Sequence, residues 1–225
     1  MSRAAAACLF GLVLAAPALA VTPAARQCAA AAADGAVEVC RRAVEENPKD
    51  IAVLRNLARS LVSIGDFEAA IDVQRTIVSL RPLDAGAHYD LAGTLGFIRR
   101  YAEAATPIET AIRLAPGAIP AHQAAAVIYF NAGHPADAVA HTLKAAELGD
   151  ARSMYDMFRY RRDGTGTEAD PGQAFAWLER AAGSGHVKAM VLMADVYLEG
   201  LHGQAEDLAP AKDWARRARA ARLGE

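Results

Sequence analysis

Residues 51–84 read IAVLRNLARSLVSIGDFEAAIDVQRTIVSLRPLD. Leu54, Leu57, Ala58 and Leu61 recur at three- and four-residue steps, which places them on one face of a helix. Gly65-Asp66 interrupts the pattern as a helix–helix turn does. Phe67, Ala70, Ile71, Ile77 and Val78 restart it, and Pro82 ends it, because proline lacks an N–H and collides with the preceding turn. A lone hairpin of this kind leaves a face uncovered, so the stretch predicts further hairpins stacked against it.

The flanking sequence supplies them. Pro48, Pro82 and Pro116 follow one another at 34-residue intervals. The next copy repeats the layout with Leu91, Ala92, Leu95, Tyr101, Ala104, Ile108, Ala111, Ile112 and Pro116, and a looser third has Ala125, Ala126, Tyr129, Gly133, Ala138, Ala145 and Ala146. Ala58, Ala92 and Ala126 fall in register, as do Ala70, Ala104 and Ala138, and such small side chains let helices approach closely. A fixed period of this length marks a helical repeat array. On Leu57, Ala70 and Pro82, then Leu91, Ala104 and Pro116, the chain resembles the tetratricopeptide repeat family. His88 and His122 stand where that family usually has tryptophan, and Ala58 and Ala92 replace its glycine. The two histidines occupy equivalent places, so they are expected to pack in successive repeats, near enough to stack.

Beyond Gly149 the period changes. Trp177 and Trp214 are 37 residues apart, and each follows a turn-rich loop that ends near an aspartate, GTGTEAD in one case and LHGQAED in the other. Tyr160, Gly164, Gly166, Asp170, Ala174, Trp177, Ala181, Ala182 and Gly185, and then Tyr197, Gly200, Gly203, Asp207, Ala211 and Trp214, resemble the Sel-one-like repeat family. That family is a cousin of the tetratricopeptide repeat with a longer loop between its helices. Met157 and Met193 sit where its Leu-Gly is expected. The last helix, from about Pro210 to Leu223, carries Arg216, Arg217, Arg219 and Arg222. It reads as a basic docking surface or as a solvated capping helix.

The chain starts differently. Arg3 precedes an apolar run, Ala4 to Leu14, too short to span a bilayer, and Ala18-Leu19-Ala20 has the small-x-small form of a signal-peptidase site. Cleavage after Ala20 leaves two cysteines, Cys28 and Cys40, and an even count in an exported chain favours a disulfide. Cys28 falls on a helical run from about Pro23 to Ala33 and Cys40 on one from about Ala36 to Glu46. With Asp34-Gly35 as the turn, the two face each other across a hairpin with a shortened second helix. Two buried reduced thiols are the alternative.

The organisation expected is therefore all-α, a right-handed helical-hairpin solenoid in one continuous array. Residues 1–20 are a signal peptide, 21–48 an N-terminal capping hairpin, 49–149 tetratricopeptide repeats, and 150–225 Sel-one-like repeats ending in a capping helix. With a net charge of −2 there is no basic excess to indicate nucleic acid.

Catalytic patterns are lacking. There is no HExxH, no GxSxG and no phosphate-cradling glycine loop among the residues, and GTGT at 164–167 lies inside a repeat. No enzyme activity, cofactor or metal is expected. What the tetratricopeptide resemblance implies is a concave groove lined by the first helix of each hairpin. Carried over residue by residue, the groove takes Arg55, Arg59, Val62 and Ser63, then Tyr89, Gly93, Gly96 and Phe97, then Gln123, Val127, Phe130 and Asn131, with Asn56 and Asp90 at the rim. Two arginines one turn apart suit a carboxylate, since guanidinium donates in a planar fork. They serve no carboxylate if nearby Asp or Glu already hold them, and Phe97 and Phe130 offer nothing if the next helix covers them. The expected function is a monomeric, partner-binding scaffold of the bacterial cell envelope, taking a protein or peptide in the groove. The competing readings are a self-assembling structural module and, less favoured, an envelope hydrolase.

Overall fold

The computed structural model describes residues 22–31 and 33–223. The expected leader, with cleavage after Ala20, lies outside the described residues. Among those residues the chain forms twelve α-helices and no strand: α1 Pro23–Ala30, α2 Ala33–Glu46, α3 Ile51–Ser63, α4 Phe67–Leu80, α5 Ala85–Phe97, α6 Tyr101–Leu114, α7 Ile119–Asn131, α8 Pro135–Glu147, α9 Ala151–Asp163, α10 Pro171–Gly183, α11 Val187–Glu199 and α12 Leu208–Leu223. Each helix packs chiefly on its neighbours in sequence, with further contact between α1 and α3 and between α5 and α7. This is an all-α hairpin-repeat solenoid.

Several helix starts are set by acids. Asp50, Asp66, Asp84, Asp150 and Asp170 each accept a backbone N–H of the first turn, at 2.9, 3.3, 3.1, 2.7 and 2.9 Å. Such a cap satisfies a donor the helix itself cannot, and contributes about 1 kcal/mol. The turn between paired helices needs a left-handed residue. Gly65 and Gly133 supply it at φ +81° and +85°, but the equivalent residue of the middle hairpin is Arg99, at φ +63°. A side chain there costs roughly 1–2 kcal/mol.

Small side chains hold the N-terminal half together. Ala70, Ala104 and Ala138 are fully buried, as are Ile71 and Ile108. Ala58 and Ala92 are buried, whereas Ala126, in the same register, is half-buried and turned to the concave side. Larger ones fill the C-terminal half: Met157, Phe158, Leu178 and Met193 are buried. Trp177 and Trp214 lie at the edge of that core, with Arg180 over one ring at 4.1 Å and Arg217 over the other at 4.8 Å.

Cys28 and Cys40 are joined by a disulfide across the first hairpin. Its geometry corrects two expectations. The break lies between Ala30 and Ala33, so Asp34-Gly35 belongs to the first turn of α2 instead of forming the turn. The short helix is the first, at 8 residues, and the second runs 14. A glycine is tolerated in a first helical turn, where the hydrogen-bond ladder has scarcely begun.

Successive hairpins are also tied by polar links. Arg55 of α3 forms an ion pair with Asp84, the cap of α5. Two repeats on, Gln123 of α7 donates to Asp150, the cap of α9, at 2.9 Å. At the joint between them the corresponding residues are Tyr89 and Ala118, and Ala118 has no side chain to accept a bond. On the other face, Arg100 bridges Glu68 at 2.8 Å and Glu103 at 2.6 Å, and Arg75 reaches Glu103 at 3.2 Å.

Candidate functional site

The first helices of the hairpins, α3, α5, α7 and α9, line a concave groove with two connected depressions. One, of about 460 Å³, lies between α3 and α5 over a floor from α4. The other, of about 560 Å³, runs from α5 across α7 to α9. They share Tyr89, Gly93 and Phe97, so the groove is continuous.

Twelve of the fourteen expected groove and rim residues line it, and Ser63 is one of the two that do not. Arg55, Arg59, Tyr89, Asp90 and Phe97 border the first depression, and Tyr89, Phe97, Gln123, Val127 and Phe130 the second. Asn56 borders neither, and accepts instead from Arg59 Nη1 at 3.4 Å. The arginine pair is divided. Asp84 already holds Arg55, so that side chain serves to brace the fold, while Arg59 has no carboxylate partner among the described residues. Burial raises the carboxyl pKa of Asp90, with Arg55 and Arg59 opposing and Asp84 reinforcing, although its side chain stays open to solvent at the rim.

Apolar surface is left open along this line. Phe97 is 73% exposed, Val127 58% and Phe130 45%. Phe97 meets Phe67 with ring centres 5.0 Å apart, and Phe130 meets Tyr160 at 6.4 Å, contacts that orient the rings without covering them. Sequence reasoning stopped at α7 and missed the far end. Arg152, Asp156, Arg159 and Tyr160 of α9 extend the groove into the second kind of repeat. The signal was available, because Arg159 holds the ninth place of α9, as Arg59, Gly93 and Val127 do in the earlier first helices. Burial raises the Asp156 carboxyl pKa, against Arg159 and Arg152.

The histidines are placed by packing. His88 and His122 each set Nε2 3.0 Å from a proline carbonyl six residues back, Pro82 and Pro116. The ring beside His122 is that of His141 on α8, not His88: their Nδ1 atoms are 3.3 Å apart, and His141 Nε2 lies 3.2 Å from Glu109. Burial lowers the His141 pKa, Glu109 opposing and His122 reinforcing. Among the described residues no three His, Cys, Asp or Glu side chains converge as a metal site would require. The arginines of α12 are partly consumed at home, since Asp213 pairs with Arg216 and lies 2.7 Å from Arg217.

Residues 28–95 match the tetratricopeptide repeat family, and residues 135–150, 151–186 and 187–224 match the Sel1 repeat. The chain carries tetratricopeptide repeats followed by Sel1 repeats. No curated protein sequence matches it. Among solved structures, one of MamA is 20% identical with a TM-score of 0.63, over 75% of this chain and 97% of that one. A Sel1 repeat protein from Oxalobacter formigenes is 22% identical with a TM-score of 0.56, over 84% and 80%. The tetratricopeptide repeat protein YrrB is 19% identical with a TM-score of 0.54, over 82% and 92%. At these identities the likeness is one of fold.

Proposed function

We propose that this protein is a non-enzymatic scaffold that holds an extended segment of a partner protein in the groove of α3, α5, α7 and α9. Protein–protein interaction is the general work of these two repeat types, and YrrB is described as having an unusual peptide-binding site. The observation that carries the reading is the line of open apolar side chains, Phe97, Val127 and Phe130, set along a continuous concave surface. Side chains exposed this far lose solvent contact only when something covers them, and aromatic anchors dominate binding energies. Arg59 supplies a free cation at one end, and Arg152 and Arg159 frame the other.

The site is read as working by shape and anchors, without a covalent step, on a monomer. Export to the periplasm or beyond is part of the proposal: a disulfide is most at home in an oxidising compartment. Among the described residues no helix is long and apolar enough to cross a membrane.

Selection from a displayed random-peptide library against residues 21–225 tests the groove. Binders that lose at least tenfold affinity on Phe97→Asp or Phe130→Asp, with unchanged circular dichroism, support it. Binders insensitive to both, or none at all, overturn it. Sedimentation that becomes concentration-dependent in the parent and not in Phe130→Asp would instead assign the open face to a second copy of the chain.

A further inference from the structure

Residue 74 differs from its register mate in the next hairpin, although Thr142, two periods along, is again polar and buried. One period along from Gln74 stands Ile108, and one period along from Thr94 stands Ile128, both buried. The hairpin stack thus closes with an apolar pair at the next joint, and packing alone does not call for a polar pair at this one.

Gln74 is 6% exposed, and its Nε2 donates to Thr94 Oγ1 at 2.9 Å. Thr94 in turn donates its only hydroxyl hydrogen to the Asp90 carbonyl at 3.1 Å. The threonine oxygen can therefore only accept from Gln74, which fixes the amide with its NH2 toward Thr94 and its oxygen turned away. That oxygen, Oε1, is buried and has no partner. An acceptor left so is costly, and its presence needs a reason.

Gln74 lies on the floor of the cavity between α3 and α5, with Ala58, Ile77 and Ala87 making the floor otherwise apolar. The Phe67–Phe97 ring pair stands at one side and Arg55, Arg59 and Asp90 at the mouth. Gly93 lines the cavity and faces open space, where a Cβ would meet no atom within 4 Å.

We propose that this cavity takes one tyrosine or tryptophan side chain of the bound peptide, whose O–H or N–H donates to Gln74 Oε1. The proposal rests on the peptide-binding reading above and names its anchor. Alternatives fit worse. A lysine or arginine meets Arg55 and Arg59 on entry, a carboxylate meets the acceptor Oε1 at the floor, and a purely apolar side chain leaves Oε1 unpaired. The volume of about 460 Å³ admits an indole without displacing the floor.

The test compares N-acetyl-tyrosinamide with N-acetyl-phenylalaninamide by NMR titration of residues 21–225, in the parent and in Gln74→Met. Methionine keeps the volume and removes the acceptor, and the apolar pair at Ile108 and Ile128 indicates that the stack accepts it. In the parent the tyrosine probe is expected to shift the Gln74 side-chain amide resonances and to bind about tenfold tighter than the phenylalanine probe. In Gln74→Met that preference is expected to vanish while phenylalanine binding persists. Equal binding of the two probes by the parent, or a tyrosine preference that survives in Gln74→Met, overturns the proposal, and an ordered water on Oε1 gives the first of these results. Library binders that need Phe97 and Phe130 but contain no required Tyr or Trp leave the groove reading standing and remove this one. An absence of any binder removes both.

Discussion

The two halves of this solenoid solve the same packing problem with different materials. From α3 to α8 the helices are joined by tight turns and meet through alanine, leucine and isoleucine. From α9 to α12 each hairpin opens into a longer loop, residues 164–170 and 200–207, and the core between them holds Met157, Phe158 and Met193. A longer loop lets the paired helices accommodate larger side chains, and the loop itself is anchored. A Cβ at Gly166 would lie 2.4 Å from the Pro135 carbonyl oxygen, so the first loop rests on the start of α8. The array therefore changes repeat type at α8–α9 without losing continuity, and the groove passes through the junction.

Changes aimed at each half sharpen or break this contrast. The largest effect is expected from Phe158→Ala, which empties the centre of the C-terminal core and should lower unfolding free energy by about 4 kcal/mol in urea titrations. Leu95→Ala in the tighter half should cost less, about 3 kcal/mol. Equal costs would mean that the two cores are not differently built. Removing the disulfide with Cys28→Ala and Cys40→Ala should cost about 3 kcal/mol for so short a loop, read in the same titration with the unreduced parent as reference. Gly166→Ala is expected to cost about 2 kcal/mol, because both its φ of +67° and its contact with Pro135 exclude a side chain.

Two equivalent caps titrate in different windows. Asp150 caps α9 and His186 caps α11, where Nδ1 accepts from Ala189 N at 3.2 Å. Burial lowers the His186 pKa, with Asp156 opposing, so the folded state favours the neutral ring. Its contribution is complete above the unfolded value of about 6.5 and declines as pH falls from there toward the lower folded value. For Asp150, burial pushes upward but hydrogen bonds from Ser153 and Gln123 hold the net pKa below the ordinary range. That stability persists until pH falls below about 4. His186→Asp should remove the loss that sets in below about pH 6.5 in thermal melts, and a curve unchanged by the substitution would clear the histidine of that role. The smallest effect belongs to Arg99→Gly, expected to raise stability by about 1 kcal/mol by relieving the left-handed residue.

Much of this was legible because the period is strict. Three prolines at 34-residue steps place six helices. The groove face followed from the resemblance to the tetratricopeptide repeat family, and Phe97, Val127 and Phe130 lie on it. What spacing did not carry was pairing in three dimensions. Asp84 caps α5, and nothing local in the sequence indicates that it also receives Arg55 from 29 residues away. His122 finds His141 because α7 and α8 fold back on each other, a contact the register between successive repeats cannot supply. Asp34-Gly35 misled because that dipeptide favours turns wherever the chain is free, and here it falls just inside a helix start. Gln74 could have been noticed, since its register mate is Ile108, but its unpaired oxygen needed Thr94 in place.

The polar links between hairpins also bear on how the array yields to load. Arg55–Asp84 and Gln123–Asp150 act as struts on the groove face of the first and third joints. At the joint between, Tyr89 and Ala118 make no such strut, and the link runs instead from Glu109 of α6 to Tyr129 at 2.9 Å and His141 at 3.2 Å. A force that opens the groove should therefore meet no polar strut on the concave side where α5 meets α7, and load the Glu109 links of that joint instead. One strut is an ion pair that salt screens and the other is held by a neutral donor, so rising ionic strength softens one end before the other. The groove thus has unequally braced ends: salt is expected to loosen the α3–α5 end while the α7–α9 end, held by a neutral donor, keeps its spacing.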